Sequence, residues 1–64
     1  PSMAPFFRRL LSETKDETFL FLAIGALSKM KDAASRPDLE RLASSDLPET
    51  LREAARKALE GLDR

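Results

Sequence analysis

The chain has 64 residues, 42% hydrophobic and 34% charged, with eleven basic residues balanced by eleven acidic ones. That length holds one small domain near the lower limit for a single core, and the absence of cysteine and histidine removes disulfides and the usual zinc ligands as staples. The charge is even along the chain, five basic against four acidic in residues 1–32 and six against seven in 33–64, which excludes a general electrostatic grip on nucleic acid or anionic membrane but not a local patch.

In chain order, "PSM" reads as a tag remnant at residues 1–3, with Met3 as a start. A short first helix follows, opening on Pro5, whose missing N–H costs nothing in a first turn, and carrying Phe6, Phe7, Leu10 and Leu11 at helical spacing. After a turn, Thr14 and Glu17 are spaced as a capping box for a second helix over residues 15–30. Within it "FLFLAIGAL", residues 19–27, holds eight apolar side chains and one glycine. As a helix this run is about 14 Å long, under half of a roughly 30 Å hydrocarbon core, so it does not span a membrane. Asp16 and Glu17 directly before it, and no small-residue cleavage site after it, oppose a signal peptide. The expected location is cytoplasmic.

"KDAASR", residues 31–36, joins the halves, with Ser35 as expected N-cap of a third helix that starts at Pro37 and carries Leu39, Leu42 and Ala43. Asp46 and Glu49 repeat the capping-box spacing before a fourth helix over residues 47–60, with Gly61 placed to supply a left-handed C-terminal residue. One isoleucine, no valine and almost no alternation leave no strand signal.

The third and fourth helices repeat the first and second. Shifted by 32 places, residues 5–32 match 37–64 at nine of 28 positions: Pro5/Pro37, Arg9/Arg41, Leu10/Leu42, Ser12/Ser44, Glu17/Glu49, Thr18/Thr50, Ala23/Ala55, Ala26/Ala58 and Leu27/Leu59. Phe7/Leu39, Phe19/Leu51 and Met30/Leu62 exchange one large hydrophobe for another. The expectation is one domain over residues 1–64, with repeat one at 4–32 and repeat two at 36–64.

"DLPETLREAARKALEGL" resembles the second helix of a HEAT or HEAT-like repeat: an Asp, a spacer, Pro-Glu, then an alanine-rich helix. Asp46, Pro48, Glu49, Arg52, Ala54, Ala55, Ala58, Leu59 and Leu62 carry the likeness. The first repeat departs from it, with Asp16 in place of the proline and Phe21 and Ile24 where charges are usual. The resemblance implies two helix-turn-helix repeats stacked as a short right-handed α-α solenoid of four helices. It also implies work in binding proteins, less often nucleic acid, and no catalysis.

At 100° per residue, Phe19, Leu22, Ala23, Ala26, Leu27 and Met30 share an arc of about 140°, and their counterparts Leu51, Ala54, Ala55, Ala58, Leu59 and Leu62 are all apolar. That arc is the predicted core. Outside it the fourth helix shows Arg52, Glu53, Arg56 and Lys57, whereas the second shows Leu20, Phe21, Ile24 and Gly25; Phe6 likewise stands opposite Asp38. Leu20, Phe21 and Ile24, with Phe6 in support, are therefore the expected contact surface for another protein or a second copy of the chain. Two other readings stay open: the four helices wrap the apolar helix as a bundle, or the chain is a piece of a longer solenoid.

Catalytic chemistry is sparse. Histidine, cysteine, tyrosine and tryptophan are missing, Ser28 and Lys29 point to different sides of a helix, and the carboxylates lie among arginines and lysines. No enzyme activity, cofactor, metal or membrane partner is expected. Arg52, Arg56 and Lys57 offer an alternative basic ridge for nucleic acid, disfavoured because Glu49, Glu53 and Glu60 interrupt it and no aromatic interleaves.

Overall fold

The computed structural model describes residues 3–63, so residues 1 and 2 of the expected tag remnant lie outside the described residues. Four helices follow one another: α1 (Ala4–Glu13), α2 (Glu17–Met30), α3 (Arg36–Ala43) and α4 (Glu49–Leu62), with a 3-10 turn at Ala33–Ser35 ahead of α3. Among the described residues there is no strand. α1 packs on α2, α3 packs on α4, and the two hairpins join chiefly through α2 and α4. The chain is all-α and solenoid-like, the longer helices forming one layer and the shorter ones the other.

The helix ends show where local chemistry overrode the expected caps. Pro5 and Pro37 stand in the first turns of α1 and α3 as anticipated. α2 is capped by Asp16 rather than Thr14: the Asp16 Oδ1 accepts from the amides of Thr18 at 2.8 Å and Phe19 at 3.3 Å, while Thr14 Oγ1 accepts from Asp16 N at 3.2 Å. A carboxylate beside two free N–H groups and the positive end of the helix binds them more strongly than a hydroxyl does. In α4 the equivalent position, 32 residues on, is Pro48, which is extended (φ −52°, ψ 148°) and makes no side-chain cap bond. Asp46 is therefore not the cap, and Leu47, biased towards extended backbone by the proline after it, is not helical.

Ser35 does occupy the N-cap position of α3, but its hydroxyl turns back to donate to the Asp32 carbonyl at 2.6 Å. At the other end of α2, Lys31 takes the left-handed conformation at φ 50°. Its amide donates to Ser28 O at 3.2 Å and that of Asp32 to Leu27 O at 3.2 Å, the paired bonds of a Schellman motif. Gly61 plays no such part, because α4 continues to Leu62 and its C-cap, Asp63, is right-handed.

The core contains Leu11, Leu20, Ala23, Ile24, Leu27, Leu39, Leu42, Leu51, Ala55 and Ala58. In α4 the predicted arc holds, with Leu51, Ala55 and Ala58 buried and Ala54, Leu59 and Leu62 packed against the cluster. In α2 it does not. Leu20 and Ile24 are 3% and 1% exposed, whereas Phe19, Leu22 and Met30 are 52%, 58% and 40% exposed. The buried arc of α2 is thus centred about 80° round from the expected one, at 100° per residue.

The reason is positional. Each long helix buries one flank against the short helix of its own hairpin, and there Ala23 and Ala55 match. Its other buried flank faces the neighbouring hairpin, which lies downstream of α2 and upstream of α4. Leu20 and Ile24 are apolar because α3 and α4 follow them, while their counterparts Arg52 and Arg56 lie beyond that joint. The same geometry disposes of the wrapped bundle, since Phe19, Phe21 and Leu22 stay in solvent.

Polar contacts tie the hairpins at their ends. Arg8 Nη1 lies 2.7 Å from Asp32 Oδ2 in a part-buried pair linking α1 to the turn after α2. Arg36 meets Asp63 at 2.6 Å, holding the start of α3 to the end of α4. Arg41 Nη2 reaches across the joint to donate to Leu11 O at 3.4 Å, one of the carbonyls that the end of α1 leaves open.

Candidate functional site

Two apolar surfaces stand out among the described residues, one between the hairpins and one at the upstream end of the first. Phe21 is half exposed at the mouth of a groove between α2 and α4. Thr50, Glu53, Ala54 and Lys57 form the α4 wall, and towards the helix N-termini the groove is lined by Glu17, Thr18 and Leu22 of α2 and by Pro48. The floor is small because Ala54 brings no bulk, and the aromatic ring of Phe21 stands beside it. Charge borders the groove on both sides, from Glu17 and Glu53 to Lys57.

The second surface is the upstream end of the hairpin, where Phe6, Phe7 and Leu10 of α1 meet Phe19 and Leu22 of α2 around one shallow depression. The Phe6 and Phe7 rings meet edge to face, 5.3 Å between centroids at 71°. Three of the four phenylalanines of the chain gather here.

Of the residues expected to form the contact surface, the structure leaves Phe21 and Phe6 exposed and puts them on different surfaces. Leu20 and Ile24 are corrected: they are core, turned towards the second hairpin, and no partner reaches them without unfolding the joint. Phe19 and Leu22 were missed as surface residues because the 32-residue comparison assigns them to the core shared by both repeats. The signal was available in that comparison, because among the described residues no hairpin precedes the first one to cover that flank.

The basic residues divide. Arg52 Nη2 donates to Glu49 Oε2 at 2.9 Å, Arg56 Nη2 to Glu53 Oε2 at 2.6 Å, and Arg56 also lies 3.8 Å from Glu49 Oε1. The hydrogen bond from Arg56, then its charge, lowers the Glu53 pKa, and the same bond raises that of Arg56. Lys57 lies about 100° round the helix from Arg56 and lines the groove next to Phe21. Hence the three do not make one ridge, and both arginines already hold carboxylates. Among the described residues no three acidic, cysteine or histidine side chains are grouped to hold a metal ion, and no helix is long and apolar enough to cross a membrane.

Stacked helical hairpins with a groove between their longer helices define an all-α repeat protein. The match to the HEAT repeats family model covers residues 1–60, and the chain belongs to that family. HEAT repeats generally mediate protein–protein interaction and are typically noncatalytic. Neither a curated protein nor a solved structure matches the chain.

Proposed function

We propose that the chain is a noncatalytic protein-interaction module, a single domain of two repeats (4–32 and 36–64) that holds its partner in the α2/α4 groove with Phe21 as anchor. The observation that carries this reading is the exchange of Glu53 for Phe21 at equivalent positions on the two groove walls. A solvated carboxylate on α4 corresponds to a half-exposed aromatic ring on α2, set against Ala54 and flanked by charge of both signs. An aromatic anchor in a small-floored groove with a polar rim is the arrangement that concentrates binding energy at protein interfaces. The groove runs along two helices, which suits an amphipathic helix laying an apolar stripe into it.

A displayed library of helical peptides, selected on the parent chain, tests this. Selected peptides should carry large apolar residues three or four positions apart, shift the NMR amide signals of Phe21, Gly25, Thr50 and Ala54, and lose at least tenfold in affinity on Phe21→Glu. Their binding should survive several hundred millimolar salt, whereas contact through Arg52, Arg56 and Lys57 to a polyanion would weaken steeply. Binders that ignore Phe21→Glu would defeat the reading.

A further inference from the structure

The charges of the α2/α4 groove run in order along it. Glu17 stands at the end where both helices begin, with Thr18, Pro48 and Thr50. Past Phe21, Lys57 stands on the α4 wall, and Lys29 closes the strip of Phe21, Leu22, Gly25 and Ala26 along α2. Among the described residues each of the six arginines has a carboxylate within 3.8 Å, whereas Glu17, Lys29 and Lys57 take part in no ion pair. Glu53, the remaining charge of the groove, is held by Arg56 at 2.6 Å. Glu17 in the first turn of α2 and Lys29 in the last also oppose the dipole of that helix. Lys57 lies in the middle of α4, where no helix-end field acts.

Gly25 is a second observation at the same place. A glycine inside a helix costs stability relative to alanine, and a Cβ built at Gly25 meets nothing within 4 Å, so no packing inside the chain requires it. It leaves a low point on α2 beside Phe21, where the backbone of a partner can approach closely.

Resting on the groove reading above, we infer that the occupant is an amphipathic helix running antiparallel to α2 and α4. Its first turns place acidic side chains over Lys57 and Lys29, its apolar stripe lies on Phe21 and Gly25, and its last turn sets a basic side chain beside Glu17. Two effects choose this direction. The side-chain charges match end for end, and the positive N-termini of α2 and α4 lie together at the Glu17 end, where they stabilise the negative C-terminus of the incoming helix. A helix is itself stabilised by acidic residues in its first turn and basic ones in its last, so this partner obeys the groove and its own dipole at once. In the parallel direction the same matching would demand charges that oppose the partner's own helix. From Glu17 to Lys29 is twelve residues of α2, about 18 Å, which a partner of about 12–14 helical residues spans.

Two peptides of about 14 residues, stapled on their polar face so that both are helical, test the direction. They share one apolar stripe. The first carries two glutamates in its opening turn and two lysines in its closing turn, and the second has these exchanged. By fluorescence anisotropy at low salt the first should bind the parent chain at least fivefold more tightly, with salt narrowing the gap as exposed pairs are screened. Glu17→Lys combined with Lys57→Glu should reverse the order. A nitroxide on the N-terminus of the first peptide should broaden the amide signals of Lys29 and Lys57, and one on its C-terminus those of Glu17 and Thr18. That measurement uses only the parent chain, so it decides even where the exchanged-charge variant fails to fold. Gly25→Ala should raise the melting temperature yet weaken the first peptide at least fivefold. Equal affinity for the two peptides, the opposite broadening, or parent-like binding by Gly25→Ala would overturn the inference, while loss of both peptides on Phe21→Glu would keep the groove. Peptides that fail to bind, or that ignore Phe21→Glu, would overturn both.

Discussion

Ile24 and Phe21 lie three positions apart on α2, yet truncating them should cost very different amounts. Ile24 is 1% exposed in the joint between the hairpins, so Ile24→Ala leaves a cavity and should remove about 2–4 kcal/mol. Phe21 keeps half its surface in water, and Phe21→Ala should cost only about 1 kcal/mol. For a domain of this size, with stability of about 3–10 kcal/mol, the first change approaches unfolding and the second does not. Urea titration of both variants reads the contrast directly; similar midpoints would contradict the phase of α2. Glu53 offers a finer measurement. Because Arg56 lowers its pKa on folding, its contribution is full above the unfolded value of 4.5 and fades as pH falls through the lower folded value. The gap in melting temperature between parent and Glu53→Gln should therefore be present at pH 7, begin to shrink below pH 4.5, and close in stronger acid. Both side chains are solvent-exposed, so the gap is small and salt should narrow it.

At the scale of a helix, α2 depends on its two ends. Asp16→Ala removes the acceptor of two amide bonds and should cost about 1 kcal/mol, whereas Thr14→Ala, which loses a single exposed bond outside the helix, should cost less than half of that. Lys31 holds φ at 50°, a conformation that strains any side chain with a Cβ, so Lys31→Gly should stabilise the fold by about 0.5–1 kcal/mol. Thermal melts of the three variants order them. These same positions explain what could be read from the sequence. Helix number, type and the hairpin order were legible, since Pro5 and Pro37, apolar spacing and the 32-residue repeat all report on short-range geometry. The caps were not, because Thr14, Asp16 and Asp46 are all chemically able to cap, and the choice rests on where the backbone turns. The contact surface was half legible: Phe6 and Phe21 are exposed, but Leu20 and Ile24 are not. Comparing repeats identifies which residues differ, and only the placement of the neighbouring hairpin determines whether a difference means new surface or new core.

At the scale of the molecule, the two hairpins are one cooperative unit rather than two independent ones. α2 buries Leu20 and Ile24 on the flank that faces the second hairpin, and α4 buries Leu51 on the flank that faces the first. Both sets belong to one core cluster shared by the two hairpins. Exposing three such side chains forgoes on the order of 5–8 kcal/mol of burial, as much as the stability of the whole domain. A chain ending at residue 35 retains α1, α2 and the Arg8–Asp32 pair at 2.7 Å, yet it should show little helix by circular dichroism at low micromolar concentration and no cooperative melt. Adding an equimolar chain of residues 36–64 should restore helicity, because the joint is formed by side chains rather than by the connecting segment. If the first hairpin folded alone, Leu20 and Ile24 would have found cover elsewhere, and the joint would not be what makes them core. The restored signal also separates the two surfaces of the first hairpin. The downstream one needs the second hairpin to exist as a folded object at all. The upstream one, around Phe6, Phe19 and Leu22, is built by the first hairpin alone, and Phe21 in the groove stays half exposed once the joint has closed.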